Sequence, residues 1–188
     1  MTSKQIRIYL VLFVLGIGSW LVAYFFEEKQ ISEIIAVDHS PDFFSVDYTK
    51  KEMDQSGILK SELFTNKMIH YGDDETTELD RPIMTLYNSN TPPWVIKSEG
   101  GWLAADSNHL LLTGKVFISR EETEDYRLFK INTSELKVTL STSFAITAKW
   151  AELIDGANRT EGTGLEATFV EPVKIKFLSH VKGRYEFN

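Results

Sequence analysis

Val173-Lys-Ile-Lys-Phe-Leu-Ser-His-Val-Lys-Gly-Arg-Tyr-Glu-Phe187 alternates with a period of two. Val173, Ile175, Phe177, Val181, Tyr185 and Phe187 fall on odd positions, and Lys174, Lys176, His180, Lys182 and Arg184 on even ones. Successive side chains of a strand point to opposite faces, so the pattern predicts one long strand with an apolar and a basic face. Ser179 and Gly183 interrupt the apolar side and are expected to be bulge or close-approach points.

Working outward, shorter segments repeat the alternation: Leu110, Leu112, Val116 and Ile118; Leu136, Val138 and Leu140; Phe144, Ile146 and Ala148; Leu165, Ala167 and Phe169. Turn chemistry separates them, as in Gly72-Asp-Asp74, Asn88-Ser-Asn90 before Pro92-Pro93, Glu99-Gly-Gly101, Asp106-Ser-Asn108 and Asp155-Gly156. Beyond Pro41 no stretch keeps apolar residues at i, i+3, i+4 and i+7 over three turns. The expectation is an all-β antiparallel domain over residues 41–188. Strands recurring about every ten residues leave no room for βαβ crossovers.

Such a chain must close, cover or pair its edges. The last strand runs to the end of the sequence, so it is expected to be uncovered. Lys174, Lys176, Lys182 and Arg184 either block indiscriminate pairing there or flank an edge offered to a partner for β-augmentation. The alternating faces also allow two interiors, a dry packed core or an open apolar groove that accepts a lipid.

At the other end, Ile8 to Phe26 is an uncharged run of 19 residues, long enough as a helix to span roughly 30 Å of hydrocarbon. It ends Trp20-Leu-Val-Ala-Tyr-Phe-Phe26, bulky and aromatic, which suits an uncleaved anchor rather than a cleaved signal peptide. Lys4 and Arg7 precede the run and Glu27 and Glu28 follow it, so the positive-inside bias puts residues 1–7 in the cytoplasm and the soluble domain across the membrane. Gly16 and Gly18 fit ordinary membrane-helix composition or close packing against a partner helix. Residues 27–40 read as a polar linker with one apolar patch, Ile34-Ile-Ala-Val37.

The 188 residues carry a net charge of −7, and since Lys4 and Arg7 are the only charges before residue 27, the remainder carries −9. An acidic domain lacks the cationic field that nucleic acid requires. Without a single cysteine there is no disulfide framework, thiolate zinc site or cysteine nucleophile. His39, His70, His109 and His180 are scattered, with no pairing that would set two metal ligands on one face. The acidic clusters Asp73-Asp-Glu75 and Glu121-Glu122 lack the spacing of a calcium loop and read as solvated turns. No nucleophile elbow, Ser-x-x-Lys pair or phosphate-cradling loop is present. The reading is a non-enzymatic protein with no cofactor and no metal.

The ordered set of features resembles the LptC family of the lipopolysaccharide export machine of Gram-negative bacteria. It comprises one N-terminal span, Pro41-Asp-Phe-Phe44, Gly57, a strand ending His70-Tyr71, Arg81-Pro82, Pro93-Trp94, Leu110-Leu-Leu-Thr-Gly114-Lys-Val116, Gly164-Leu165 and Val181-Lys-Gly-Arg-Tyr185-Glu186. The resemblance implies a twisted, open antiparallel β-jellyroll in the periplasm, with a V-shaped apolar trough for lipid A chains. It implies lipopolysaccharide as cargo and the bridge protein LptA as a partner through the C-terminal edge. The permease subunits LptF and LptG would meet the N-terminal edge and the span. Trough-lining positions are expected at Tyr48, Leu79, Leu112, Val116, Phe144, Ile175, Phe177 and Tyr185, and partner-binding ones at Gly57, Gly156, Val181 and Tyr185. The rival reading is a membrane-anchored structural adaptor of another envelope complex, with a dry core and no lipid cargo.

Overall fold

A computed structural model of the chain describes Gln5, Phe13 and residues 15–21, 39–88 and 91–186. The chain divides into two units, Met1–Asp38 and His39–Asn188. In the first, residues 15–21 are helical. Among the described residues no helix is long and apolar enough to cross a membrane. Most of the expected span over 8–26, nearly all of the 27–40 linker and Phe187 lie outside the described residues.

The second unit is all-β. Its ten strands are β1 (Pro41–Met53), β2 (Leu59–Tyr71), β3 (Thr76–Asp80), β4 (Ile83–Asn88), β5 (Thr91–Leu103), β6 (His109–Arg120), β7 (Phe129–Thr139), β8 (Phe144–Asp155), β9 (Asn158–Thr168) and β10 (Lys174–Arg184). They form one antiparallel, jellyroll-like sheet in the order β1-β2-β3-β5-β6-β7-β8-β9-β10, with β4 also between β2 and β5. β3 and β4 share that one place. β3 pairs with Lys67–Tyr71 and β4 with Ser61–Phe64. The Arg81-Pro82 corner parts them, and the fully buried Thr65 bridges the gap, its hydroxyl donating to the Asp80 carbonyl at 2.7 Å.

Halfway along, most strands break register. Shifts fall at Ser98/Gly100 between β5 and β6, Leu112/Lys115 between β6 and β7, Asn132/Lys137 between β7 and β8, Thr147/Trp150 between β8 and β9, and Ser179/Lys182 between β9 and β10. Gly114, Glu135, Gly164 and His180 sit in this belt at positive φ, the backbone signature of bulges that bend and twist a strand. The bend folds the sheet over itself. Asn88 Nδ2 on β4 donates to the Phe169 carbonyl beyond β9 at 3.2 Å, and the Trp94 and Phe169 rings are 5.1 Å apart, although these segments are not neighbours in the sheet.

The bend also re-aims side chains. On β5 the buried set runs Trp94, Ile96, Ser98 and then shifts to Gly101 and Leu103, and on β7 it runs Ile131, Thr133 and then Leu136, Val138. Glu99-Gly-Gly101, expected as a turn, is therefore a bulge inside β5. Close approach favours glycine there: a Cβ on Gly101 would lie 3.2 Å from Pro82 Cγ and 3.3 Å from the Leu111 carbonyl oxygen, so either neighbour would have to give by a few tenths of an ångström.

Candidate functional site: an apolar interior between two edge strands

The inward faces make one continuous apolar interior. Cross-strand rows run across it, such as Leu103, Leu110, Val138, Ala145, Ala167 and Ile175, each paired with the next. Each such strand contributes alternate residues because the other face points to solvent. Of the residues singled out in the sequence, Leu112, Val116 and Leu79 are fully enclosed, at 1%, 0% and 2% exposure. Tyr48 on β1 and Ile175 and Phe177 on β10 are partly buried and pack against that core from the two edge strands. A hollow bordered by Lys50, Glu52, Ser61, Leu63, Met84, Leu103 and Leu140 measures about 20 Å³, too small for an acyl chain.

One expectation changes with the register. Phe144 does not face inward: it pairs with Thr139 and Thr168, and the inward residues of β8 are Ala145 and Thr147. Both faces of β8 carry apolar side chains there, so alternation alone left the choice of face open, and the pairing with β7 and β9 settles it. Val181 falls within the Ser179/Lys182 shift, without a strand partner, and is 53% exposed. Tyr185 stays beyond the end of the inward row but is 60% exposed, its ring folded against Gly183 and its hydroxyl 3.5 Å from Thr160 Oγ1.

Gly57 and Gly156 occupy tight turns at φ +78° and +58°. Asp54 organises the first, its side chain accepting the Ser56 and Ile58 amides at 2.8 and 2.9 Å. Nothing lies within 4 Å of a Cβ placed on Gly57, so backbone conformation, not crowding, selects glycine there.

Both edges of the sheet carry exposed apolar side chains. On β1 these are Phe43, Phe44, Val46 and Met53; on and beside β10 they are Leu178, Val181 and Tyr185. Such edges offer unpaired backbone groups together with apolar contact, which is the surface β-augmentation uses.

Chemistry that would suit an enzyme is sparse among the described residues. One trio, His39, Asp73 and Asp74, is close enough to hold a metal ion, and all three are exposed. The sequence separates His39 from the two acids by more than thirty positions, so the trio was not legible there. Its closeness has a local cause: His39 Nδ1 bonds Asp73 at 2.9 Å while its ring stacks on Tyr71 at 4.1 Å. The hydrogen bond to Asp73 raises the His39 pKa, and Thr76, through hydroxyl and amide, lowers that of Asp74. Asp106 in the β5–β6 turn is lowered to about 2, chiefly by the Asn108 amide and then by His109.

A family model described as lipopolysaccharide-assembly, LptC-related, matches residues 8–186. The chain belongs to that family. LptC-related proteins are components of lipopolysaccharide transport and not enzymes, and the family is anchored in the inner membrane with its domain in the periplasm. No curated protein matches the chain. Among solved structures, the chain is similar to LptH, the LptA-homologous periplasmic component of the lipopolysaccharide transport device of Pseudomonas aeruginosa. Identity is 9%, the TM-score is 0.39, and the match covers 77% of this chain and 94% of that one.

Proposed function

We propose that this LptC-related chain accepts lipopolysaccharide from the inner-membrane ABC transporter and passes it to LptA for assembly of the outer membrane. The observation that carries this is the continuous apolar interior flanked by the edge strands β1 and β10, neither of which has a second strand partner among the described residues, in a chain of that family. An aqueous compartment can be crossed by acyl chains only along an apolar lining, because each exposed CH₂ costs about 0.8 kcal/mol. Tyr48, Leu79, Leu112, Val116, Ile175, Phe177 and Tyr185 supply the lining. The filled interior means that lipid enters by parting the folded halves, starting from the half-buried edge positions Tyr48, Ile175 and Phe177.

In this reading β10, with Val181, Tyr185 and the nearby Gly156 turn, pairs with LptA. β1, Gly57 and the 8–26 span meet LptF and LptG. Residues 1–7 are cytoplasmic, 8–26 cross the inner membrane, 27–40 link, and 41–188 form the periplasmic domain. Nothing in the proposal requires a cofactor.

Photo-crosslinkers at Phe177, Tyr185 or Leu112 in cells are expected to capture lipopolysaccharide, and those at Lys174 or Lys176 are not. Equal labelling of both faces rejects the trough. The close burial of the core, with Trp94, Ile96, Val116 and Ile131 wholly enclosed, favours a second reading, an adaptor with a dry core and protein partners alone. Lipopolysaccharide co-purifying with the full chain excludes that reading.

A further inference from the structure

Open space in the sheet lies on its outward face. Two adjoining hollows of about 530 and 580 Å³ are both bordered by Leu111, Lys137 and Ile146, each within the range of roughly 300–1,000 Å³ typical of ligand sites. These three residues are one cross-strand row: Trp102 pairs with Leu111, Leu111 with Lys137, and Lys137 with Ile146. The register therefore places an indole and two aliphatic side chains side by side on the face opposite the interior. Phe144 extends the apolar floor within the first hollow, and Lys149 and Leu178 border the second.

The charges at this groove oppose those of the domain. Residues 27–188 carry −9, yet Lys137 and Lys149 line the groove, and among the described residues neither ammonium has an ion pair. The acid bordering the second hollow, Glu135, accepts the Gly114 amide at 3.0 Å. An apolar floor beside two unpaired cations selects an amphiphile with an anionic end. The surface is concave, so it receives a chain; insertion into a bilayer needs side chains that protrude.

We propose that this outer groove holds the single chain of a fatty acid, with its carboxylate at Lys137 and Lys149 and its chain along Leu111, Ile146, Phe144 and Trp102. The site is on the opposite face from the lipopolysaccharide-lining positions and does not depend on them.

The test uses the full chain in phosphatidylcholine nanodiscs with a diazirine-bearing palmitic acid, adducts being mapped by mass spectrometry. Adducts are expected on the peptides carrying Leu111 and Ile146. Lys137→Gln combined with Lys149→Gln should lower them about tenfold, the loss of charge-assisted contacts, while labelling by the matching diazirine alcohol stays unchanged. Ile146→Glu should abolish adducts of both probes, and circular dichroism confirms that each variant is folded. The proposal is overturned by adducts concentrated at Leu112, Leu165 or Phe177, by acid labelling that survives the double lysine change, or by displacement of the probe by an acidic amphipathic peptide at lower concentration than by palmitate. Lipopolysaccharide capture at Phe177 measured on Ile146→Glu separates failure here from failure of the transport reading.

Discussion

Replacing Trp94 discriminates a packed interior from one waiting for a guest. Trp94 is fully buried, edge-on to Phe129 at 5.2 Å and tilted against Phe169 at 5.1 Å, with the Arg120 guanidinium 4.9 Å from its ring. Its indole Nε1 and the Arg120 Nε are both buried without an acceptor among the described residues. Trp94→Ala leaves a large cavity between the folded halves and is expected to cost about 3–5 kcal/mol, with a further ~0.5–2 kcal/mol from the lost cation–π contact. Trp94→Phe keeps most of the ring and removes the orphan donor, whose burial costs about 1–3 kcal/mol. That relief offsets the lost volume, so Trp94→Phe is expected to fall within about 1.5 kcal/mol of the parent. The assay is guanidinium unfolding of the full chain in detergent, followed by far-UV circular dichroism. A Trp94→Phe variant as unstable as Trp94→Ala would refute the reasoning, because it would mean that the indole N–H has a partner in solution.

Other predictions concern the edges and turns. A Cβ on Gly162 would lie 2.9 Å from Phe177 Cδ1 and 3.0 Å from the Ser179 carbonyl oxygen, so Gly162→Val should push β10 off β9 and speed amide exchange along 174–179. Unchanged protection would show that β10 tolerates the displacement. Gly57→Val at φ +78° should cost about 1–2 kcal/mol through backbone strain alone, read as a fall in melting temperature without a change in the sheet's circular dichroism. His39, raised above 6.5 by Asp73, holds the entry to β1 fully below that value and releases it as pH rises through its folded pKa. An imidazole NMR titration should give a midpoint above 6.5 that falls in Asp73→Asn; a midpoint unmoved by that change removes the ion pair. The lowered Asp106 works in the opposite direction, its contribution present above about 3.8 and lost as pH falls through about 2. The β5–β6 turn should accordingly keep most of its amide protection at pH 3 and lose it in Asp106→Ala, which removes the acceptor of the Asn108 and His109 amides, at neutral pH.

Where apolar residues keep one parity along a segment, as along Leu110, Leu112, Val116 and Ile118 or Leu165, Ala167 and Phe169, the inward set could be read without coordinates, and each of these residues is 1% exposed or less. The β6 set keeps its parity through the bulge at Gly114 because Val116 lies four residues beyond Leu112, so pattern and structure agree even there. Phe144 and Val181 were legible only after pairing, since one sits on a strand apolar on both faces and the other inside a register shift. The His39–Asp73 contact joins residues thirty-four positions apart, and the Trp102–Leu111–Lys137–Ile146 row depends on the register of four successive strands, so nothing in local composition signals either.

By itself the sequence determined the strand class, the acidity of the domain, the uncharged N-terminal run and the family resemblance. These follow from side-chain period, charge count and motif order, which are local properties of the chain. The tertiary structure alone decided where strands break register, which apolar face is enclosed and that the interior is filled while open grooves lie outside. Those are consequences of non-local backbone pairing: a shift of one residue between neighbouring strands moves a side chain to the other face, and no single strand carries that information.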